Sequence, residues 1–327
     1  MLYWLCGLRL EANVSVPGLI RLESDHGPDV RVRFGVMPCW LDDVGNISPQ
    51  ICYTSQDFDR DGRPLLKVHQ VSGGKYFRLT YADGTAFLID RAGTRIWSTW
   101  PDTLSFEDTV VYLLGPIIGF ALRLRGITCL HASAIAIGEG AIALIGPGGV
   151  GKSTTAAAFA RRGVAVLADD VVALNDSGHA FLVQPGYPHV RLWPRSVEML
   201  YRSSDALPPL TPNWDKRYLN LVESGYQFQQ APLPLAAMYV LGDRCSEPNA
   251  PFVEEMSARD ALMMLVENTY VNYLLEPTMR GKEFTVLTRL VERIPIQRIR
   301  PHADPARLSR LCEVILEDLH ALSVTYQ

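Results

Sequence analysis

Residues Gly146-Pro147-Gly148-Gly149-Val150-Gly151-Lys152-Ser153 form a complete G-x-x-x-x-G-K-[ST] motif, which is typical of a phosphate-binding loop. The preceding residues 141–145 are all apolar, which is typical of a buried strand. Residues 152–162 are rich in alanine and predict a helix that ends at Gly163. A strand, a glycine loop and a helix in this order predict an α/β fold with a phosphate-binding loop.

The chemistry of the motif follows from its glycines, which let backbone N–H groups turn inward around phosphate oxygens. The start of the helix adds partial positive charge. Lys152 is expected to reach the β- and γ-phosphates and the Ser153 hydroxyl to bind Mg²⁺, so the motif predicts ATP and Mg²⁺ as cofactors. The expected nucleotide-binding residues are Gly146, Gly148, Gly149, Val150, Gly151, Lys152, Ser153 and Thr154.

Composition and charge exclude several classes of binding partner. The chain has 327 residues and a net charge of −4, so no basic field attracts nucleic acid or an anionic membrane. The longest apolar run, residues 109–122, contains Gly115-Pro116 and is too short to span a bilayer. The six cysteines are scattered without a C-x-x-C pair, which argues against a zinc site or a disulfide framework and indicates a reducing, cytoplasmic location.

Two domains are expected. Residues 1–103 contain strand-length apolar runs, such as 30–34, 76–81 and 86–90, separated by turn residues. They predict a small β-rich domain that serves as a scaffold or docks a substrate. Residues 104–327 form the catalytic domain in this interpretation.

Within the second domain, residues 106–125 predict a buried helix kinked or broken at Pro116. Residues 129–145 predict a hairpin, and strands are expected at 164–168, 171–174, 180–184, 189–193 and 236–241. Residues 208–230 have little periodicity and several prolines, which predicts a long loop. Helices are expected at 257–275, 278–292 and 305–323.

The pair Asp169-Asp170 ends an apolar strand shortly after the helix of the phosphate loop. This position can bring a carboxylate beside Mg²⁺ held by Ser153, and a second carboxylate can take a proton from an incoming hydroxyl. The alternative is that the two acids only begin a turn. His131, in the preceding strand, is a weaker catalytic candidate, because a lone histidine in a strand is more often structural.

Residues 130–137, 144–153 and 163–170 together resemble the core of the HPr serine kinase/phosphorylase family. That family has a histidine before the phosphate loop and an Asp-Asp pair after it. The resemblance implies a P-loop kinase core of the HPr kinase and PEP carboxykinase type. It also implies that Asp169 is the base, that Asp170 helps to hold Mg²⁺ and that His131 supports the acidic pair or a phosphate.

Ala132 and Thr154 depart from the residues usual in the sugar-regulating enzymes of that family. Residues 184–194, followed by Lys216-Arg217, look more like the HPr-kinase-like proteins of ribosomal peptide biosynthesis. Those include kinases of the C-terminal serine of lasso-peptide precursors. Arg191, Lys216 or Arg217 would then neutralise phosphoryl charge or bind a substrate carboxylate, unless they are solvated surface cations.

The sequence therefore favours an ATP- and Mg²⁺-dependent kinase that phosphorylates a serine of a peptide or small protein. The sequence leaves two alternatives open: a nucleotide-gated peptide-binding module without phosphotransfer, and an HPr-type carrier-protein kinase. Simple hydrolysis driving a conformational cycle is disfavoured, because no ABC-type signature is present. A homo-oligomer is expected from the resemblance alone.

Overall fold

The computed structural model describes residues 1–39, 49–211 and 214–325. They divide into two compact units. The first comprises Met1–Ile127 together with Tyr273–Glu276, and the second comprises Thr128–Asn272 and Pro277–Gln327. Residues 104–127, which the sequence interpretation gives to the catalytic domain, therefore belong to the first unit.

The first unit is built on an 8-stranded sheet with strand order β1-β2-β3-β8-β7-β6-β5-β4. The strands predicted at 30–34, 76–81 and 86–90 are confirmed. Alternating burial along them places one face on the core, as in Val30, Val32 and Phe34. The strands are β1 (Leu2–Leu5), β2 (Leu8–Ala12), β3 (Val30–Phe34), β4 (Gln50–Thr54), β5 (Leu66–Val71), β6 (Tyr76–Tyr81), β7 (Ala86–Asp90) and β8 (Arg95–Thr99).

Two helices complete this unit, and the break predicted at Pro116 is confirmed. Helix α1 (Phe106–Tyr112) starts at a capping box in which Ser105 and Asp108 satisfy each other's backbone N–H groups. A π-helical turn (Leu113–Ile117) follows, with non-helical angles at Gly115 next to Pro116. Helix α2 (Ile118–Leu124) then continues the buried apolar run.

The second unit contains a 7-stranded sheet of order β10-β9-β11-β12-β16-β18-β17, with β10 also paired to β16. A 3-stranded sheet of order β13-β15-β14 accompanies it. The strands are β9 (Thr128–Ile137), β10 (Gly140–Ile145), β11 (Val166–Asp176), β12 (Phe181–Val183), β13 (His189–Leu192), β14 (Pro209–Thr211), β15 (Trp214–Asn220), β16 (Leu233–Leu241), β17 (Phe252–Glu255) and β18 (Ile296–Arg300).

Helices cover both faces of the larger sheet, and each face has its own apolar cluster. One cluster includes Phe159 of the phosphate-loop helix and Ile315 of the last helix, and the other includes Leu265 and Leu287. The chain is thus a mixed α/β protein. Its helices here are α3 (Lys152–Arg161), α4 (Pro194–Tyr201), α5 (Ala258–Glu267), α6 (Pro277–Arg293) and α7 (Leu308–Thr325).

Three predictions need correction. The expected loop at 208–230 contains β14 and β15, which pair with each other, and β15 also pairs with β13; residues 212 and 213 lie outside the described residues. The strands expected at 164–168 and 171–174 form one strand, β11, that runs through the aspartate pair. Helix α5 ends at Glu267, short of residue 275, because the Asn268 amide side chain turns back to the carbonyl oxygen of Met264.

No helix among the described residues is both long and apolar enough to cross a membrane.

Candidate active site

The register of three neighbouring strands brings the predicted site residues together. Ile145, the last residue of β10, pairs with Ala132 of β9, and Ala132 pairs with Asp170 of β11. Asp169 pairs with Ser133 in the same ladder. The phosphate loop leaves β10 at this edge of the sheet, so His131 and both aspartates lie next to its start.

The phosphate loop has the backbone that its glycines predict. Gly146, Gly149 and Gly151 all have positive φ, and Gly151 is the N-cap of α3 without a side-chain cap. A Cβ atom on Gly146 would lie 2.9 Å from the carbonyl oxygen of Leu241. Among the described residues, the amides of Gly149 and Gly151 have no backbone acceptor, so they are available to an anion.

Lys152 is buried at the start of α3, with 6% of its surface exposed. Its Nζ donates to the carbonyl oxygens of Gly146 at 2.7 Å and Pro147 at 3.1 Å. Burial lowers the pKa of Lys152 to about 8, and the nearby carboxylates of Asp169 and Asp170 oppose that fall. The ammonium group is therefore held over the loop by oxygens that a phosphate could replace.

Asp169 is buried, and its two oxygens have separate partners. Oδ1 accepts a hydrogen bond from the Ser133 hydroxyl at 2.6 Å, and Oδ2 accepts one from the backbone N–H of Arg191 at 3.0 Å. Burial raises the pKa of the Asp169 carboxyl, while these hydrogen bonds and a weaker one from the Ser153 side chain oppose the rise. Ser153 is thereby the phosphate-loop hydroxyl next to this carboxylate.

Asp170 has a φ of 71°, a left-handed conformation that non-glycine residues rarely adopt. In a regular strand, Asp170 would point to the face opposite Asp169. Here its carboxylate instead contacts His131, whose Nδ1 lies 3.2 Å from Oδ1, and accepts a hydrogen bond from the Tyr270 hydroxyl at 3.0 Å. The unusual backbone thus points both carboxylates toward one region.

The charge around Asp170 keeps it ionised. Burial alone would raise the pKa of this carboxyl, but the hydrogen bond from His131 and the charges of Arg191, His131 and Lys216 hold it well below its usual range. Arg191 contributes directly, with its NH1 3.7 Å from Asp170 Oδ2. Asp170 keeps 18% of its side chain exposed, so a reacting group can reach it.

Strand alternation places the three predicted cations, Arg191, Lys216 and Arg217, on two different faces of the small sheet. Arg191 of β13 pairs with Tyr218 of β15, so Arg191, Tyr218 and Lys216 lie on the same face of that small sheet. Lys216 packs its Nζ 5.1 Å from the centre of the Trp193 ring. Arg217 pairs with Leu192 on the opposite face and forms a surface ion pair with Asp205. The structure brings Arg191 and Lys216 to the aspartates and leaves Arg217 away from them.

Several residues of the site are not predicted by the sequence pattern. Ser133 and Tyr270 bind the two carboxylates, and the buried Tyr187 lies under Arg191, whose Cζ is 5.8 Å from the ring centre. Ser133 follows His131 by two positions and so lies on the same face of β9, which is the one signal that could have found it. Tyr270 comes from a segment after α5, and its approach depends on tertiary structure alone.

The residues present fit a magnesium ion bound together with phosphates. Among the described residues, no group of three or more His, Cys, Asp and Glu side chains could hold a metal unaided. A phosphate-loop site differs, because one hydroxyl, one or two carboxylates and phosphate oxygens share the metal. The neighbouring Ser153 and Asp169 side chains supply that donor set. Thr154, the last predicted nucleotide-binding residue, instead donates its hydroxyl hydrogen to Ser196 of α4 at 2.8 Å.

Comparisons with known proteins add a distant structural similarity. No family model matches the chain, and no curated protein sequence matches it. One similar solved structure is the "Hpr(Ser) kinase/phosphatase from Coxiella burnetii", with a TM-score of 0.34 and 12% sequence identity. That similarity covers 61% of this chain and 93% of the other.

Proposed function

We propose that the chain is an ATP- and Mg²⁺-dependent kinase that transfers the γ-phosphoryl group to a serine hydroxyl of a peptide or small protein. The observation that carries this proposal is the pair of carboxylates of Asp169 and Asp170 beside the phosphate-loop residues Lys152 and Ser153. A loop that only binds a nucleotide needs the lysine and the amides. A second, partly accessible carboxylate next to a histidine adds a place for the proton of a hydroxyl acceptor.

The acceptor class rests on the sequence resemblance. Residues 130–170 resemble the HPr serine kinase/phosphorylase family, and residues 184–194 resemble the peptide kinases of lasso-peptide biosynthesis. We therefore propose the C-terminal serine of such a precursor as the acceptor. Lys216, on the same face as Arg191, is the cation we assign to the carboxylate of that chain end.

The two aspartates divide the work in this mechanism. The Ser153 side chain is close enough to Asp169 to lower the pKa of its carboxyl, which favours Asp169 as the carboxylate beside the metal. Asp170 is more accessible and contacts His131, which favours Asp170 as the acceptor of the serine proton. Its low pKa makes it a weak base, which suffices because the serine oxygen releases its proton only as its bond to phosphorus forms. This division is the reverse of the one that the resemblance implies. When bound, Mg²⁺ would neutralise charge on the β- and γ-phosphates.

In the transfer step, the serine oxygen forms a bond to the γ-phosphorus while the bond from that phosphorus to the β–γ bridging oxygen breaks. The serine proton passes to Asp170, and ADP leaves with the bridging oxygen. Lys152 and the amides of the loop stabilise the phosphoryl charge, and Arg191 adds a fixed cation from the acceptor side. His131 holds Asp170 in position through its Nδ1 contact.

Mass spectrometry tests the proposal. The protein is incubated with ATP, Mg²⁺ and synthetic peptides that end in serine or in alanine, and with a phosphocarrier protein as a second acceptor. We expect the mass of one phosphoryl group to be added to the serine peptides only. Asp170→Asn is expected to abolish transfer while ATP still binds, whereas Asp169→Asn is expected to raise the Mg²⁺ concentration required.

Asp215→Asn is the matched control, because Asp215 is exposed in β15 and is not part of the carboxylate cluster formed by Asp169 and Asp170. Full transfer by Asp170→Asn would contradict the mechanism. Nucleotide binding without any phosphorylated acceptor would instead favour the nucleotide-gated binding module. Phosphorylation of the carrier protein alone would identify an HPr-type kinase.

A further inference from the structure

A cavity of about 330 Å³, a volume that includes its open mouth, lies beside the phosphate loop. Val150, Gly151 and Thr154 form its inner wall. Its other walls come from the end of β16 at Leu241 and the residues after it, and from the residues that follow β18, beginning at Pro301.

The order of the strands sets the cavity opposite the carboxylates. β10 carries the phosphate loop and is paired with β9 on one side and with β16 on the other. β9 leads on to β11 with Asp169 and Asp170, while β16 leads on to β18. A triphosphate whose γ end meets the aspartates therefore directs its nucleoside toward the ends of β16 and β18, where the cavity lies.

The walls of the cavity have the chemistry of a nucleoside site. Leu241, Pro301 and Leu308 present apolar surface, and the His302 ring adds a flat polar one. Asp304 supplies a carboxylate at the rim for sugar hydroxyls. Arg244 also lines the cavity, and its NH2 lies 3.5 Å from the position that a Cβ atom on Gly151 would take.

Hydrogen bonds hold these walls in place before any ligand binds. The Gly242 amide donates to the Ile299 carbonyl oxygen at 2.9 Å, and the Cys245 amide donates to that of Pro301 at 3.0 Å. Arg307 donates to the carbonyl oxygens of Pro248 and Ala250. A site formed in advance loses less entropy on binding.

We infer that this cavity binds the base and ribose of the nucleoside triphosphate, with Arg244 on the phosphate next to the ribose. The inference rests on the proposed function, because it takes the phosphate loop as the site of the triphosphate. Neither the loop motif nor the aspartates identify this second half of the donor site.

Calorimetry with two ligands distinguishes binding in the cavity from binding at the phosphate loop. MgATP and magnesium tripolyphosphate share the phosphates, and only MgATP carries a nucleoside. Leu308→Trp fills the cavity, and Ala306→Trp is its control, since Ala306 is exposed nearby and does not line the cavity. His302→Ala is a second variant that enlarges the cavity, and Lys152→Ala tests the loop.

We expect Leu308→Trp to raise the Kd for ATP about tenfold or more while the Kd for tripolyphosphate stays within about twofold. His302→Ala is expected to act in the same direction with a smaller change, and Ala306→Trp to change neither Kd. If Leu308→Trp and His302→Ala change neither Kd, or change both equally, while Lys152→Ala weakens both ligands, the inference is overturned and the proposed function stands. If Lys152→Ala weakens neither ligand, both are overturned.

Discussion

His131 Nδ1 lies 3.2 Å from Asp170 Oδ1, and this pair joins two adjacent strands of the sheet at the edge where the phosphate loop begins. The contact exists because Asp170 leaves the regular strand conformation, with a φ of 71°. The family resemblance implies a supporting role for His131, and the geometry supplies a specific partner for it.

His131→Gln is expected to lower kcat about 100-fold while the KM for ATP changes little, because the imidazole positions the proton acceptor and does not contact the loop. His179→Gln is the control, since His179 is exposed in the turn between β11 and β12. Steady-state kinetics checks this. Equal kcat values for His131→Gln and the parent protein would show that His131 is only structural.

Arg191 and Arg217 lie on adjacent strands but face opposite sides of the small sheet, which gives a matched pair. Arg191→Gln is expected to lower kcat at least about 100-fold, because it removes a fixed cation from the carboxylate cluster. Arg217→Gln is expected to stay within about twofold, because Arg217 faces away from the aspartates and loses an ion pair with the exposed Asp205 and a hydrogen bond to the Asp215 carbonyl oxygen. Phosphotransfer assays on both variants check this, and the opposite order would contradict the proposed face.

Gly146 and Gly148 give a second matched pair within one loop. Gly146 has a φ of 139°, and a Cβ atom there would lie 2.9 Å from the Leu241 carbonyl oxygen. A Cβ atom on Gly148 would meet nothing within 4 Å, and its φ is not positive. Gly146→Ala is therefore expected to lower the free energy of unfolding by about 2 kcal/mol or more, and Gly148→Ala by less than about 1 kcal/mol.

Urea denaturation without nucleotide checks this pair, since it reports the loop backbone independently of phosphate binding. Similar losses in the two variants would show that the loop relaxes around a new side chain.

Asp90 gives a pH dependence in the first unit. Burial would raise the pKa of this carboxyl, but hydrogen bonds from Thr94 and Arg95 outweigh burial and leave the pKa below its usual value. The ionised group therefore stabilises the fold above its unfolded pKa of about 3.9, and this contribution is lost as the pH falls through the folded value. Asp90→Asn is expected to cost about 2 kcal/mol at pH 7 and less once the pH falls below the folded pKa of Asp90.

Denaturation curves at several pH values measure this, with Asp102→Asn as the control, because Asp102 is exposed. An equal cost of Asp90→Asn at pH 7 and at the acid end would contradict the assignment.

Much of the fold could be predicted because local signals agree with tertiary structure. The strands at residues 30–34, 76–81 and 86–90 were predicted with their observed bounds, and the helix break beside Gly115-Pro116 follows from proline chemistry. β14 and β15 were missed, because prolines and charged residues hide the strand pattern in a small sheet that is only partly buried.

The candidate site likewise has a part that the sequence predicts and a part that it does not. The lysine and glycines of the phosphate loop follow from a motif whose spacing is fixed by local geometry. The role of Ser133 and the exclusion of Arg217 depend on strand register, which a single sequence reports weakly. Tyr270 follows helix α5 and Arg244 follows strand β16, and no local sequence pattern indicates that either residue reaches the site.

The strand order has a consequence for engineering. Residues on the proposed acceptor side, Arg191 and Lys216, come from β13 and β15, whereas the proposed nucleoside pocket is formed by the segments after β16 and β18. These two stretches do not overlap along the chain. Acceptor preference and donor preference can therefore be altered by separate segment exchanges, with the phosphate loop between them left unchanged.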